Sequence, residues 1–421
     1  MLLKKKYLNN DFLINFKNRL ISKYGLEAIK KKKVLWVEWF SDGREIEQMK
    51  FIIIFLKDIL DWDIDFVSSF NPLSAFSKEY NLAIISGLIG AKRGLNWAKV
   101  IFRDSKIPLF TSHTEGIYRE SEIEEFVWGH QKVEKKVLWT KCSHWSKKSL
   151  QLTKKYYPSL MDSLFVSGSL GIDSFIIENE NKEKYDIAII LNDDFVSLDA
   201  LQRNFGERYA NRWLKQFHLP ANRKLVDFIK KYSNFGYTFL VKPHPALTIN
   251  EHKVVTQIKN LRNVKVVNSY YSIQECLYSS RIFVMQNSTT ATQALSLKKP
   301  VFRVGEYPTC FDEYQYLPDL TNLEDELAKK DLNRLIDDYD FNYLNKAIIH
   351  NTLGYIDGFN HLRFIENLLG NEEIYKAKKI RFNLIMIKYS MIFYVLKFVQ
   401  KLKLPFFKSF QDRYKRFDLN L

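Results

Sequence analysis

Cysteine is almost missing from this chain. Cys142, Cys276 and Cys310 are the only three in 421 residues. They are too scattered for a zinc cluster and odd in number, so a structural metal is unexpected and a reducing compartment fits. No uninterrupted apolar run of membrane-spanning length occurs either, since the most apolar stretch, residues 384–399, is broken by Lys388 and Lys397. The lysines among residues 1–7 lead into no apolar core of signal-peptide length, so neither a span nor secretion is expected. Long polar or low-complexity tracts are absent too, which removes the compositional basis for disorder. What is present is apolar surface, 46% hydrophobic and 15% aromatic residues, enough for packed cores. A length of 421 residues exceeds what one core organises, so two domains of ordinary size are expected.

One sign of charge dominates. The formal net charge is +16, and ten of those charges fall in the last 46 residues, where twelve Lys and Arg face only Asp412 and Asp418. Such an excess implies attraction to phosphate, on nucleic acid or on a membrane surface. Aromatic residues such as Tyr389, Tyr394, Phe398, Phe406 and Phe410 are interleaved with the cations. Residues 376–421 therefore fit a basic amphipathic helix lying on an anionic membrane surface. The competing reading is a terminal helix capping the core with a solvated basic face. A non-enzymatic nucleic-acid-binding protein is a further reading, but no nucleic-acid-binding motif is present and the rest of the chain is nearly neutral, so nucleic acid is not expected as a partner.

Along the chain, apolar runs alternate with amphipathic segments. After a basic helical leader over residues 1–32, strands are expected at 33–39, 63–67, 82–86, 107–111 and 164–167, with helices at 44–59 and 96–105 and a Trp- and Lys-rich helical stretch at 123–157. A second series places strands at 185–191, 237–241, 264–267, 282–285 and 301–304, separated by helices at 224–232, 251–259, 273–278 and 290–297. Strands alternating with helices imply parallel sheets. The expected fold is α/β, two Rossmann-like doubly wound domains facing a cleft. The first spans residues 33–172 and the second 185–370, joined by a linker at 173–184 and followed by the basic tail at 371–421. Ligands of such sheets lie beyond the carboxyl ends of the strands, and three short islands fall there.

The first island is Lys242-Pro243-His244-Pro245, where two prolines stiffen the exit of a strand and a cation and an imidazole project at the sheet edge, suited to a phosphate. The second is Gln286-Asn287-Ser288-Thr289-Thr290, where Asn and hydroxyl residues stand at a helix start and free N–H groups favour an anion; ordinary capping by Asn287 or Ser288 would use the same residues. The third is Ser112-His113-Thr114-Glu115-Gly116, which puts a carboxylate beside a glycine at a strand end, where an acceptor hydroxyl could lose its proton. A solvated turn is the plainer use of that glutamate.

In their order along the chain the islands resemble the bacterial sialyltransferases and polysialyltransferases, whose pattern is acidic-acidic-Gly, then His-Pro, then a Ser/Thr pair. They resemble equally the capsule Kdo transferases and the surface-carbohydrate biosynthesis proteins of polysaccharide gene clusters. With the last group the likeness extends to Trp128-Gly129-His130, to Val166-Ser167-Gly168-Ser169 leading to Gly171-Ile172-Asp173, and to Asp357-Gly358 before a terminal helix. The resemblance covers roughly residues 33–370 and implies a GT-B glycosyltransferase, inverting or retaining. It would move a sugar, a CMP-activated acidic one of the sialic or Kdo kind, onto a glycan or lipid-linked glycan acceptor at the inner face of the cytoplasmic membrane. By residue, it implies donor-phosphate binding by His244, Ser288 and Thr289, with Lys242, Pro245, Asn287 and Thr290 beside them. Glu115 is the implied base and His113 the alternative, because Thr114 stands at the first acidic position of the motif.

No cofactor is implied beyond the nucleotide sugar, itself a substrate. A CMP leaving group departs as a phosphate monoester, so cations and N–H donors at that phosphate stabilise the charge that grows there, without a metal. Asp61, Asp63 and Asp65, like Asn192-Asp193-Asp194, read as solvated edge and turn residues rather than metal ligands. A CDP-alditol phosphotransferase or a UDP-sugar epimerase of similar architecture is the enzymatic alternative.

Overall fold

A computed structural model describes residues 11–38, 46, 48–69, 71–86, 92–112, 137–156, 158–177, 182–192, 202, 206–244, 252–268, 271–286, 288–305, 312–329, 331–341 and 345–402. The chain forms two compact units. Unit 1 comprises residues 1–178 and 351–421, and unit 2 comprises residues 179–350.

Unit 1 is built on six parallel strands: β1 (Lys33–Glu38), β2 (Asp63–Ser68), β4 (Leu82–Ser86), β5 (Leu109–Ser112), β6 (Lys141–His144) and β7 (Leu164–Val166), in the order β2-β1-β4-β5-β6-β7. The short β3 (Glu79–Tyr80) pairs antiparallel with β13 (Lys378–Lys379). Runs such as Val34-Leu35-Trp36-Val37 and Leu82-Ala83-Ile84-Ile85 are apolar on both sides, as central parallel strands covered on both faces must be. One face packs Leu35, Val37, Ala83, Ile85 and Leu109 with Trp97, Ile101 and Trp139. The other packs Val34, Trp36, Leu82 and Ile84 under helices α1 (Asp11–Tyr24), α2 (Lys50–Ile54), α3 (Leu170–Ile177) and α6 (Asn360–Leu369). Helix α6 belongs here because Leu362, Ile365, Leu368 and Leu369 recur at helical spacing along one side.

Unit 2 has five parallel strands, β8 (Tyr185–Ile190), β9 (Phe239–Lys242), β10 (Val264–Val266), β11 (Ser280–Met285) and β12 (Val301–Arg303), in the order β10-β9-β8-β11-β12. Helix α4 (Leu219–Asn234), opened by Pro220 in its first turn, buries Leu225, Val226, Phe228, Ile229 and Tyr232 on this sheet. Helix α5 (Thr290–Ser296) follows β11. Both units are thus Rossmann-like doubly wound sheets, the fold class expected from the alternating pattern.

Three local expectations change. Residues 141–144, inside a stretch expected to be helical, form β6: Cys142, Ser143 and His144 are buried between β5 and β7, and a strand this short and polar carries no alternation to betray it. The start of the expected linker, from Asp173 to Ile177, instead belongs to α3, whose Leu170, Ile172 and Phe175 are core residues. The second domain, expected to run to residue 370, ends at His350, and the chain rejoins unit 1 from Asn351.

The expected tail also divides. Ile374, Ile380 and Met386 are buried in unit 1. Helix α7 (Leu384–Leu402) docks through Ser390 Oγ, which accepts the Leu73 N–H at 3.3 Å, and Tyr389 OH, which accepts from Asn96 Nδ2 at 2.8 Å. The capping reading therefore holds for the near side of this helix, while Leu384, Met391, Tyr394, Val395 and Phe398 on it are each more than half exposed. No helix among the described residues is long and apolar enough to cross a membrane.

Candidate functional site

In unit 2 the strand order reverses between β8 and β11, because the chain runs from β8 out to β9 and β10 and returns on the other side to β11 and β12. Doubly wound sheets hold ligands beyond the carboxyl ends at such a reversal. There, the Oε1 of buried Gln286 accepts the Asn192 N–H at 2.8 Å, and its Nε2 donates to Asn222 Oδ1 on α4. Asn222 Nδ2 in turn meets His218 Nε2 at 3.1 Å, and His218 stacks on Trp213. Gln286 thus ties the ends of β8 and β11 to α4 and forms part of the scaffold beneath the edge.

Lys242 ends β9 level with Ile190 of β8 and, through it, Met285 of β11. Only 7% of it is exposed, and its Nζ donates to Pro243 O at 3.3 Å. Burial pushes the Cys276 thiol up to about 12, the Lys242 ammonium pulling the other way, so Cys276 stays protonated and offers no thiolate nucleophile. His244 follows two residues on, half-buried. Ser288 and Thr289 precede α5 and Thr290 opens it; Ser288 Oγ accepts the Thr290 N–H at 3.2 Å and Thr292 Oγ1 donates to Thr289 O at 2.8 Å. The Ser288 oxygen is therefore engaged in the local turn, in the manner of a cap. Since β9 and β11 are the two neighbours of β8, their ends lie two strand spacings, about 10 Å, apart. Lys242, His244, Ser288, Thr289 and Thr290 thus share one sheet edge. Pro245 and Asn287 lie outside the described residues.

In unit 1 the order reverses between β1 and β4. Of the third island only Ser112, the end of β5, is described; His113, Thr114, Glu115 and Gly116 lie outside, as do Trp128-Gly129-His130. What the sequence reading missed at this edge is Glu38, the last residue of β1, 0% exposed. Register pairs Glu38 with Ser68, sets it one step beyond Val37↔Ile85 and hence beside Ser86, and continues through Ser86↔Ser112 and Ser112↔Ser143. The carboxyl edge of this sheet is therefore a row of serines with one buried carboxylate at the reversal. A lone acid closing an apolar strand run was the available signal.

The Gly168 to Asp173 and Asp357-Gly358 landmarks meet in unit 1. Asp173 Oδ2 accepts both the His361 backbone N–H and the Nδ1–H of the His361 ring at 2.7 Å, with Asp173 0% and His361 2% exposed. Asn360 Nδ2 donates to Ser169 O at 2.9 Å, and Gly168, at φ 90°, leaves the room that the Asn360 side chain fills. Gly354, also at positive φ, lies so close to the Trp145 carbonyl that a Cβ would collide with it. These landmarks fasten the returning chain to the end of β7, a structural role.

Asp63 pairs with Lys31 at 3.3 Å, and Asp65 accepts from Lys78 Nζ at 2.8 Å and Tyr80 OH at 2.6 Å. Burial raises the Asp65 carboxyl, but those two hydrogen bonds outweigh it and leave its pKa lowered. Among the described residues no three His, Cys, Asp or Glu side chains converge as metal ligands. Asp193 and Asp194 lie outside them.

The class defined by these observations is a pair of Rossmann-like units with a cation-bearing carboxyl edge in the second. No family model matches the sequence, and no curated protein matches it. Among solved structures, the chain is similar to a putative UDP-N-acetylglucosamine 2-epimerase from Listeria monocytogenes at 10% identity and TM-score 0.47, over 82% of this chain and 98% of that one. It is similar to the wall teichoic acid polymerase TagF at 10% identity and TM-score 0.46, over 88% and 97%. It is also similar to the UDP-GlcNAc 2-epimerase of Methanocaldococcus jannaschii at 11% identity and TM-score 0.43, over 87% and 99%. At these scores and identities the likenesses carry no inference about what this chain does.

Proposed function

We propose that this chain is a metal-independent glycosyltransferase that moves a sugar from a nucleotide donor, a CMP-linked acidic sugar, onto a bacterial surface-polysaccharide acceptor. The observation that carries the reading is the convergence on one carboxyl edge of Lys242, the last residue of β9, and His244, just beyond it, with Ser288, Thr289 and Thr290, beyond β11, on either side of the strand where the order reverses. Cation, imidazole and hydroxyl donors there suit a phosphate whose charge grows as CMP leaves. Pro245 and Asn287 complete the same two islands. Glu115, with His113 as the alternative, takes the acceptor proton. The test is thermal denaturation of the full-length protein with CMP, UDP and CDP, because a ligand that binds only the native state raises its apparent stability with concentration. CMP is expected to stabilise selectively, and Glu115→Gln to keep that shift while losing transfer. Stabilisation by UDP or CDP alone would favour an epimerase or an alditol phosphotransferase, and none by any nucleotide would overturn the reading.

The same reading puts the enzyme on the inner face of the cytoplasmic membrane, where lipid-linked acceptors are reached. Its support is the outward side of α7, with Met391, Tyr394, Val395 and Phe398 exposed beside Lys388, and the basic sequence that follows. A cut after Asn371 would remove buried Ile374, Ile380 and Met386 and so tests packing instead. Met391→Glu with Phe398→Glu is the cleaner variant. It is expected to lose sedimentation with anionic vesicles at low salt while keeping the CMP shift, and wild-type protein is expected to be released as salt screens the lysines. Sedimentation of the variant at the wild-type level would remove α7 from the membrane contact.

A further inference from the structure

Unit 1 carries a cavity of about 790 Å³ at the amino-terminal edge of its sheet, opposite the edge that bears Glu38. It opens beneath the starts of β5 and β6, where Lys106 and Leu138 enter those strands. We propose that it binds the phosphate headgroup and first methylenes of an anionic membrane phospholipid, an inference that rests on the peripheral-membrane reading of α7 and gives it a specific lipid site.

The walls are of two kinds. Phe102, Val137, Leu138 and Tyr375 make an apolar floor, fit for methylenes. Arg103, Lys106, Lys376 and Lys378 stand at the rim, outnumbering Glu372 and Glu373. Two of the cations are already engaged: Arg103 Nε donates to Asp104 at 2.8 Å, and Lys378 Nζ donates to Lys106 O at 2.6 Å. Lys106 and Lys376 form no ion pair among the described residues. A volume of this size is that of a pocket for a small organic ligand, and the charge selects an anion.

The segment that leads into α7 is anchored close to the cavity. The Arg381 N–H donates to Ser105 Oγ at 2.9 Å and Asn383 Nδ2 to Asp104 Oδ2 at 2.8 Å, so α7 starts beside Arg103 and Lys106. From that anchor its exposed Leu384, Met391, Val395 and Phe398 run outward. An apolar helix side with a cationic, apolar-floored cavity at its root matches a lipid–water interface, where chain and phosphate are presented together.

The experiment is calorimetric titration of the full-length protein with dihexanoyl phosphatidic acid below its micelle concentration, which needs no vesicle. Saturable binding is expected. The Arg103→Gln, Lys106→Gln, Lys376→Gln variant should bind at least about tenfold more weakly, the loss of one charge-assisted hydrogen bond or more. Val137→Trp, which fills the floor without touching a charge, should weaken it as well. Met391→Glu with Phe398→Glu should leave this affinity unchanged while lowering vesicle sedimentation, so failure of the cavity and failure of the helix are read separately. Absence of saturable binding by wild type, wild-type affinity in both cavity variants, or displacement by inorganic phosphate at equal affinity would each overturn the proposal.

Discussion

An alanine at position 244 is expected to lower turnover by ~10²–10³-fold while the protein stays folded, the loss seen when one preorganised donor to a developing charge is removed. The expectation follows from where His244 sits. It lies beyond the last hydrogen-bonded residue of β9, half-buried, and two residues past Lys242, so trimming its ring removes no strand pairing. A donor that acts only as the phosphate gains charge should depress kcat far more than it raises KM. Measuring both, with the CMP thermal shift alongside, separates that case from simple loss of donor binding. Full activity in His244→Ala would remove the imidazole from the chemistry and leave Lys242 as the cation at this edge.

Removing the carboxylate of Asp173 is expected to be costly to the fold. Asp173→Ala leaves the His361 ring and its backbone N–H buried without the acceptor that both now use. Breaking a buried pair by deleting one partner costs ~3–5 kcal/mol, a large fraction of a domain's stability. Denaturant unfolding of the purified variant measures it, and Asp173→Asn, which keeps an acceptor for the N–H, should fall between alanine and wild type. A loss below ~1 kcal/mol would mean that α6 is held by its apolar side alone.

Much of the fold was legible because the strands of both sheets are apolar on two sides and the helices between them are amphipathic: Val34 to Val37, Ile187 to Ile190 and Ile282 to Met285 announce themselves. The strand at residues 141–144 did not, since Lys-Cys-Ser-His has neither alternation nor an apolar run and is fixed by pairing with β5 and β7 alone. Nor could periodicity show that Asp173 would find His361, a contact made across 188 residues. On the site, the strand-end position of Lys242 and His244 was readable from the proline-flanked island, and the structure keeps both at the carboxyl edge. Gln286 opens the second polar island, yet its partners Asn192 and Asn222 make it scaffold, a distinction that depends on burial, which a sequence does not display. Glu38 was visible as the one acid in its strand, but only the sheet order puts it at the reversal.

Unit 2 is an uninterrupted segment, whereas unit 1 is split around it. A ribosome therefore completes unit 2 while unit 1 still lacks α6, whose Leu362, Phe364, Ile365 and Leu368 cover the same apolar face as Val34, Trp36 and Ile84. The usual order of synthesis, in which the amino-terminal domain is finished first, is inverted here. Until residue 369 has emerged, the part of that face that α6 covers, beside α1, α2 and α3, stays exposed, and the newly made chain must be kept from aggregating through it during that interval.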